Sequence, residues 1–291
     1  MLSILIPCYN YDCSALVQEL YRQTKLLPYP VEILVADDAS SMDISQLENK
    51  INALENCRFL RMEYNSGRAV IRNYLAGISR YEWLLFLDCD AAIINSNFLA
   101  CYMEATSGYD VVCGGLKYRR PLPSYDLSLR YYYGISAEER TAEMRNKTPY
   151  DKFTTFSFLI KREVFQQIRF DESFYKYGHE DSVFGTELEK RKIKILHINN
   201  PLYHEGLETN DNFLRKTEIS IENLIALPAA SKVKSRLMYT YKKIKSIKLS
   251  PVIRLVFIIL RKPLSLHLTG KHPRMRLFAF YKLGYLCYIA K

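Results

Sequence analysis

The N-terminal part of the chain repeats one pattern: a short apolar run, a cluster of turn and acidic residues, then a stretch with apolar positions three and four apart. The apolar runs are residues 2–7, 31–36, 57–62 and 83–87. Short runs bounded by turn residues predict strands, and continuous apolarity predicts strands covered on both faces. Between them, 14–25, 44–54 and 67–79 have helical spacing; in the first, Leu16, Leu20 and Tyr21 share a face. Short strands alternating with helices predict a mostly parallel, Rossmann-like α/β sheet flanked by helices.

Further along, 110–115, 156–160 and 194–197 predict strands, and 162–167, 181–191 and 210–227 predict helices. The polar, aromatic stretch 121–149 predicts loops and short helices. After Pro228 the charge changes. From Ser231 to the end there are 15 Lys and Arg and no Asp or Glu, whereas the first 230 residues hold 26 basic against 31 acidic residues. The net charge of +10 is therefore a mildly acidic body carrying an anion-seeking tail. A uniformly basic, nucleic-acid-coating protein would not divide this way, and no nucleic-acid partner is expected.

Within the tail, 232–248 interleaves Lys and Arg with Leu237, Met238, Tyr239, Tyr241, Ile244 and Ile247. The apolar run 251–260 contains Arg254 and falls well short of the roughly 20 residues that span a bilayer. Residues 274–288 again mix basic and aromatic side chains. This composition predicts helices lying on an anionic membrane surface. A solvated extension, a protein-docking surface and RNA contact are the competing readings.

A chain of 291 residues suits one large domain, or one domain plus an appendage. The seven Cys have no CxxC pair, which argues against a disulfide framework or a structural zinc site. No basic segment precedes the first strand, so a cytoplasmic catalytic part is expected.

In parallel α/β sheets ligands bind at the carboxyl ends of the strands, and the unusual polar residues of this chain sit there. Asp88-Cys89-Asp90 follows the run WLLFL; two carboxylates at a turning strand end suit Mg²⁺ or Mn²⁺ on a diphosphate, or a solvated turn capping the next helix. Asp37-Asp38-Ala39-Ser40 is either a carboxylate facing a nucleoside or an acidic turn with a Ser cap. Asn65-Ser66-Gly67-Arg68, with Arg72-Asn73, opens a helix at a Gly turn, an anion site or a solvated basic face. Gly178-His179-Glu180-Asp181 places two acids at a helix start, where they favour the helix dipole or serve as a general base. His204 follows a late strand; a lone His is more often structural than a ligand.

In order and spacing, Pro7-Cys8-Tyr9-Asn10, Val35-Ala36-Asp37-Asp38-Ala39-Ser40, Asn65-x-Gly67 with Arg72-Asn73, Phe86-Leu87-Asp88-Cys89-Asp90 and Gly178-His179-Glu180-Asp181 resemble family 2 glycosyltransferases of GT-A fold, over roughly residues 1–225. The resemblance implies an inverting transferase that moves a sugar from a nucleotide-sugar donor, with uridine donors the family's frequent choice, to a saccharide or lipid-linked saccharide. It implies that Pro7, Tyr9, Asn10, Asp37, Asp38, Asn65, Gly67, Arg68, Arg72 and Asp88 bind the donor, with Asp38 accepting the base's imino N–H. It further implies that Asp88, Asp90 and His204 hold Mn²⁺ or Mg²⁺, that Asp181 is the base, and that Glu180 orients the acceptor. The expected division is a GT-A domain at 1–228, with a nucleotide-sugar half at 1–115 and an acceptor half at 116–228, followed by a helical basic membrane-association region at 229–291. That region would attach the enzyme peripherally to the inner face of the cell membrane. The Gln-x-x-Arg-Trp pattern of processive synthases is absent, since the one Trp is Trp83, so single transfers in polysaccharide biosynthesis are expected. The rivals are a sugar-1-phosphate nucleotidyltransferase, whose first loop is normally rich in Gly and carries Arg, unlike residues 8–12 here, and a catalytically inactive membrane scaffold that binds nucleotide sugar.

Overall fold

The computed structural model of the chain describes residues 1–173, 178–227 and 234–290. In chain order the elements are β1 (Leu2–Cys8), α1 (Ser14–Thr24), β2 (Val31–Asp37), α2 (Ser45–Asn52), β3 (Cys57–Arg61), α3 (Arg68–Ile78), β4 (Trp83–Leu87), β5 (Ala91–Ala92), α4 (Phe98–Glu104), β6 (Val111–Cys113) and β7 (Leu116–Lys117). They continue with α5 (Ser128–Tyr133), α6 (Ala142–Asn146), β8 (Ser157–Lys161), α7 (Arg162–Ile168), α8 (Glu180–Lys190), β9 (Ile195–His197), β10 (Leu202–His204), α9 (Asn210–Ala226), α10 (Arg236–Ser246), α11 (Ser250–Leu268) and α12 (Met275–Ile289). Two compact units result: Met1–Lys117 with Arg140–Lys176 and Phe184–Gly206, and Tyr118–Glu139 with Tyr177–Val183 and Leu207–Lys291.

The first unit is built on a seven-stranded sheet in the order β3-β2-β1-β4-β8-β6-β9. β1 pairs parallel with β2 and β4, β2 with β3, and β6 with β9. β8 alone runs against its neighbours β4 and β6. The predicted α/β class holds, and each predicted strand or helix is found within a few residues of its expected bounds. β1, β2 and β4 are almost wholly buried, as their unbroken apolar runs require. One face is filled by a cluster that includes Leu5, Leu34, Phe86, Phe158, Phe165, Phe170 and Phe184. Phe86 and Phe158 stack at 4.8 Å across the β4–β8 pair, and Phe170 stacks on Phe184 at 4.5 Å. Residues 154–158 lead into β8 in the middle of the sheet, with Phe158 in this cluster. A small second sheet, β5-β10-β7, lies beyond the end of β4.

The second unit is helical. α5, α9, α10, α11 and α12 share a core that includes Leu129, Phe213, Leu214, Tyr241, Phe257, Phe278 and Tyr285. α11 and α12 approach closely at Gly284, where a Cβ would stand 2.4 Å from the Phe257 ring. The last acidic residues of the chain serve these basic helices: Glu218 accepts from Tyr281 Oη at 2.6 Å and Arg261 Nη2 at 3.0 Å, and Glu222 accepts from Tyr285 Oη at 2.5 Å. The expected boundary at 228/229 lies outside the described residues. On the chain either side of it, α9 and the three basic helices belong to one unit.

Candidate active site

Three loops meet where β1, β2 and β4 end. β1 and β2 run in register from Leu2–Val31 to Cys8–Asp37, so the loops that follow them leave the sheet side by side. Asn10, in a left-handed conformation (φ 50°), accepts from Ser41 N at 2.8 Å and Met42 N at 3.2 Å, while its own N–H donates to Ser40 Oγ at 2.7 Å. Asp37 is buried and accepts from Ser40 N at 2.9 Å and from the Ser40 hydroxyl. These bonds fix the two loops to each other and leave Tyr9, half exposed at 48%, standing clear of them. Pro7 lies in β1 just before the loop.

Asp38 is also buried, and it acts on the start of α3. Ser66 N and Ser66 Oγ each donate to Oδ1 at 2.7 Å, and Gly67 N donates to Oδ2 at 2.9 Å. Gly67 precedes the helix at φ 88°, a conformation that Gly reaches without strain. A carboxylate that fills the otherwise unpaired N–H groups at a helix start is a strong cap. A carboxylate accepts about four hydrogen bonds, so Asp38 keeps capacity for one more donor. Asn65 is exposed beside this turn.

At the first residue of α3 and one turn further on, Arg68 and Arg72 point to the end of β4. Arg68 Nη2 lies 3.1 Å from Asp88 Oδ2, and Arg72 Nη2 pairs with Asp88 Oδ1. Arg72 is 2% exposed, so its charge requires this partner. Arg72 Nη1 also donates to Arg68 O at 3.1 Å, and its guanidinium lies over the Phe170 ring at 5.8 Å. The Asp88 carboxylate thus faces two guanidiniums, and the contact the structure gives both arginines is with that carboxylate.

Asp90 turns elsewhere. β10 pairs antiparallel with β5 in the register Tyr203–Ala92 and His204–Ala91, and Glu205 N donates to Asp90 O at 2.9 Å. His204 Nε2 consequently stands 3.5 Å from Asp90 Oδ2. Asp90 Oδ1 is buried and has no hydrogen-bond partner among the described residues. Burial pushes the Asp90 carboxyl up; His204 pulls it back and Asp88 pushes it further up. The Phe156 ring packs on the His204 ring at 5.3 Å, while Phe156 O accepts from Asp88 N at 3.0 Å, so the residue just before β8 touches both His204 and Asp88. A carboxylate oxygen lacking a donor beside an imidazole nitrogen fits a divalent cation, whose positive charge would take the place of the missing hydrogen bond. Among the described residues no group of three or more His, Cys, Asp or Glu is arranged to hold a metal.

Glu180 and Asp181 open α8, in the portion of the chain that belongs to the second unit. The entry to that helix is set by Gly178 (φ 103°) and His179 (φ 74°). A Cβ on Gly178 would lie 2.9 Å from Ser220 Oγ, and His179 Nε2 donates to Ser220 O at 2.9 Å. Asp181 Oδ1 accepts from Ser182 N at 2.7 Å.

The sequence model of the family described as Glycosyl transferase family 2 matches residues 3–169, a segment containing every strand-end loop described above. The chain belongs to glycosyl transferase family 2. Among curated relatives, chondroitin synthase of Escherichia coli is 23% identical over 244 residues, covering 72% of this chain and 35% of the synthase. Chondroitin synthase of Pasteurella multocida (strain Pm70) is 22% identical over 296 residues, covering 90% of this chain and 30% of that one. The chain therefore spans about a third of the length of these relatives. Among solved structures, the mannosyltransferase PcManGT from Pyrobaculum calidifontis, in complex with GDP-Man and Mn²⁺, aligns with TM-score 0.54 at 15% identity over 98% of this chain and 83% of that one. S. aureus TarS 1–349 in complex with UDP aligns with TM-score 0.51 at 20% identity, over 99% and 88% of the two chains. At these identities the likeness is one of fold, and the fold is of GT-A type, as expected.

Two residues of this family 2 site, Gly206 and Tyr11, lie outside the sequence motifs, and the part played by a third, Ser66, is not legible from its place in Asn65-Ser66-Gly67-Arg68. Gly206 leaves room for the Asp90 carboxylate: a Cβ there would stand 2.0 Å from Oδ2. Tyr11 lies close enough to Asp90 that burial first, and then that carboxylate, push its phenol up to about 12. Ser66 provides two of the three donors to Asp38. A Gly two residues after a candidate ligand His was the one available hint.

Proposed function

We propose that the protein is an inverting, non-processive glycosyltransferase of polysaccharide biosynthesis, using a UDP-linked sugar and a saccharide or lipid-linked saccharide acceptor. The observation that carries this reading is the pairing of Asp90 with His204 at the end of β4, beside the loops of β1 and β2. On this reading residues 1–115 bind the donor and 116–228 the acceptor. Tyr9 offers an exposed ring for the base to stack on, with Pro7 at the end of β1 leading into its loop, and Asp38 uses its remaining lone pair on the base's imino N–H. Asn10 and Asp37 hold the two loops in place, and Asn65 and Gly67 shape the turn that Asp38 caps. Arg68 and Arg72 fix the Asp88 carboxylate toward the ribose and the diphosphate.

Asp90 and His204, with Asp88 alongside, would hold Mn²⁺ or Mg²⁺, which supplies counter-charge for a diphosphate. Asp181 accepts the proton of the acceptor hydroxyl as its oxygen forms a bond to the anomeric carbon, and Glu180 orients that acceptor. The bond from the anomeric carbon to the diphosphate oxygen breaks, its electron pair leaving with the nucleoside diphosphate. Displacement from the opposite face inverts the anomeric centre.

The basic helices α10–α12 are proposed to hold the enzyme at the inner face of the cell membrane. No helix among the described residues is long and apolar enough to cross a membrane. The excess of cationic side chains in 231–290 supports attraction to anionic lipid instead.

A thermal-shift panel of nucleoside diphosphates, with and without Mn²⁺, tests the core of the reading. UDP with Mn²⁺ should raise the melting temperature more than UDP in EDTA, because a ligand selective for the native state stabilises it by mass action. No shift with any nucleoside diphosphate under either condition would overturn it.

A further inference from the structure

α11 is apolar on two opposite faces, and one of them faces solvent. Phe257, Leu264 and Leu268 are buried in the helical core. On the other side Val252, Leu255, Val256, Ile259, Pro263 and Leu266 fall within an arc of about 100° at 3.6 residues per turn and extend over about 21 Å of helix. Leu255 is 60%, Ile259 67% and Leu266 65% exposed. A surface helix normally turns charged residues outward, and a helix apolar all round is normally covered. The stripe is a contiguous apolar surface of the kind that marks a docking site.

Its surroundings identify the occupant. Lys262 borders the stripe on α11, and Arg254 lies farther round the helix on the same side. Beside it lies a groove of about 730 Å³ lined by Tyr241, Lys245, Lys248, Arg254, Leu255 and Ile258. Lys245 lies over the Tyr241 ring at 5.7 Å, and Lys248 and Arg254 line the same groove. Residues 231–290 contain no acid, so a second copy of this face would meet like charge, whereas an anionic lipid leaflet supplies both an apolar layer and phosphates.

We propose that α11 lies in the interface of an anionic membrane, its outward stripe among the acyl chains and a lipid phosphate held in the Lys245–Lys248–Arg254 groove. This rests on the membrane attachment proposed above but adds apolar insertion to charge attraction. The two differ measurably, because attraction between surface charges is screened by salt and apolar burial is not.

The test uses the full chain, since α10–α12 share their core with α5 and α9. Ile259→Trp places a reporter at the centre of the stripe; the native Trp83 is buried and its signal is subtracted. On vesicles of phosphatidylglycerol and phosphatidylcholine the new Trp should shift to the blue, be quenched by brominated acyl chains, and remain bound at high salt. The double variant Leu255→Gln/Ile259→Gln should partition at least roughly tenfold more weakly, as expected for losing two buried aliphatic side chains. Lys248→Ala/Arg254→Ala should reduce the preference for anionic over neutral vesicles; an unchanged preference overturns the phosphate groove. Binding that salt abolishes, with a Trp still in water, overturns insertion while leaving peripheral attachment standing. No binding to vesicles overturns both. A blue shift that appears without vesicles as protein concentration rises assigns the stripe to a second copy and overturns the lipid proposal.

Discussion

His204 Nε2 lies 3.5 Å from Asp90 Oδ2, a contact made by the two-residue register of β10 on β5 rather than by either loop alone. Asp88, two residues before Asp90, is held by Arg68 and Arg72 instead. The two acids of the Asp-x-Asp motif therefore have separate partners, which divides their roles and makes them separable by mutation.

Asp90→Ala should abolish the strengthening of UDP binding by Mn²⁺, and His204→Ala should weaken it, with UDP affinity in EDTA little changed in both. Calorimetric titrations with metal and with EDTA measure this. Equal UDP affinity of the wild type in the two conditions would remove the metal from the scheme.

Gly206→Ala tests the space around Asp90. The added Cβ would meet Oδ2 at 2.0 Å, so the carboxylate or the backbone after β10 must move. Overpacking of this kind costs about 1–3 kcal/mol. The expected outcome is a lower melting temperature together with reduced metal-dependent UDP binding. A variant that melts and binds as the wild type does would show that Asp90 relocates freely.

Asp38→Ala separates capping from donor recognition. It leaves Ser66 N and Gly67 N without their acceptor, and a buried unsatisfied group costs about 1–3 kcal/mol. Ser66→Ala removes one donor and keeps the carboxylate. If Asp38 contacts the base, Asp38→Ala lowers UDP affinity beyond what its stability loss explains, and Ser66→Ala does not. Parallel melting curves and UDP titrations decide; equal affinity losses in both variants would leave Asp38 a cap only.

What the sequence makes legible is local. Continuous apolar runs specify β1, β2 and β4 because both faces of those strands are covered, and the turn residues after them mark where a ligand can approach. The direction of β8 is not legible, since SFLIK has the same apolar character in either orientation. The β5–β10 pairing joins residues more than a hundred positions apart through two- and three-residue strands, too short for any periodicity. Composition identifies the basic tail, but its helices have apolar faces that need a partner, and that partner is α9, whose Glu218 and Glu222 take the tyrosines of α12. The exposed stripe of α11 is invisible in sequence because the same helix is apolar on its buried side.

His197 predicts an acid-sensitive fold. Its Nε2 donates to Pro149 O at 2.9 Å, and its Nδ1 accepts from Arg145 Nη1 at 2.8 Å, a pattern that requires the neutral ring. Burial first, with Arg145 adding to it against the Pro149 bond, brings the imidazole down from 6.5 to about 4. Above pH 6.5 the ring is neutral whether the chain is folded or not, and the native state bears no penalty. As pH falls from 6.5 toward 4 the unfolded chain gains a proton that the native state refuses, so stability is lost, by roughly 2 kcal/mol between pH 6.5 and 5. Half-buried His179 is shifted in the same direction, so the contribution is read from His197→Gln, which should flatten this part of the pH profile. Denaturant titrations across the window measure it; identical slopes in variant and wild type would refute the assignment.

The last prediction concerns the proposed base. Asp181→Asn is nearly isosteric, and its side-chain oxygen can still accept from Ser182 N. If Asp181 only shapes the helix start, folding, UDP binding and sugar transfer should all survive the change. If it takes the acceptor's proton, transfer should fall by about 10²–10⁴-fold while folding and donor binding persist, because an amide cannot act as a base. Glu180→Gln is the companion variant. Loss through orientation should appear chiefly in the acceptor KM, and loss of the base in kcat. A panel of simple and lipid-linked saccharides supplies the acceptor, and product stereochemistry reports inversion. Transfer by Asp181→Asn at close to the wild-type rate would exclude Asp181 as the base, and a kcat loss in Glu180→Gln alone would move that role to its neighbour.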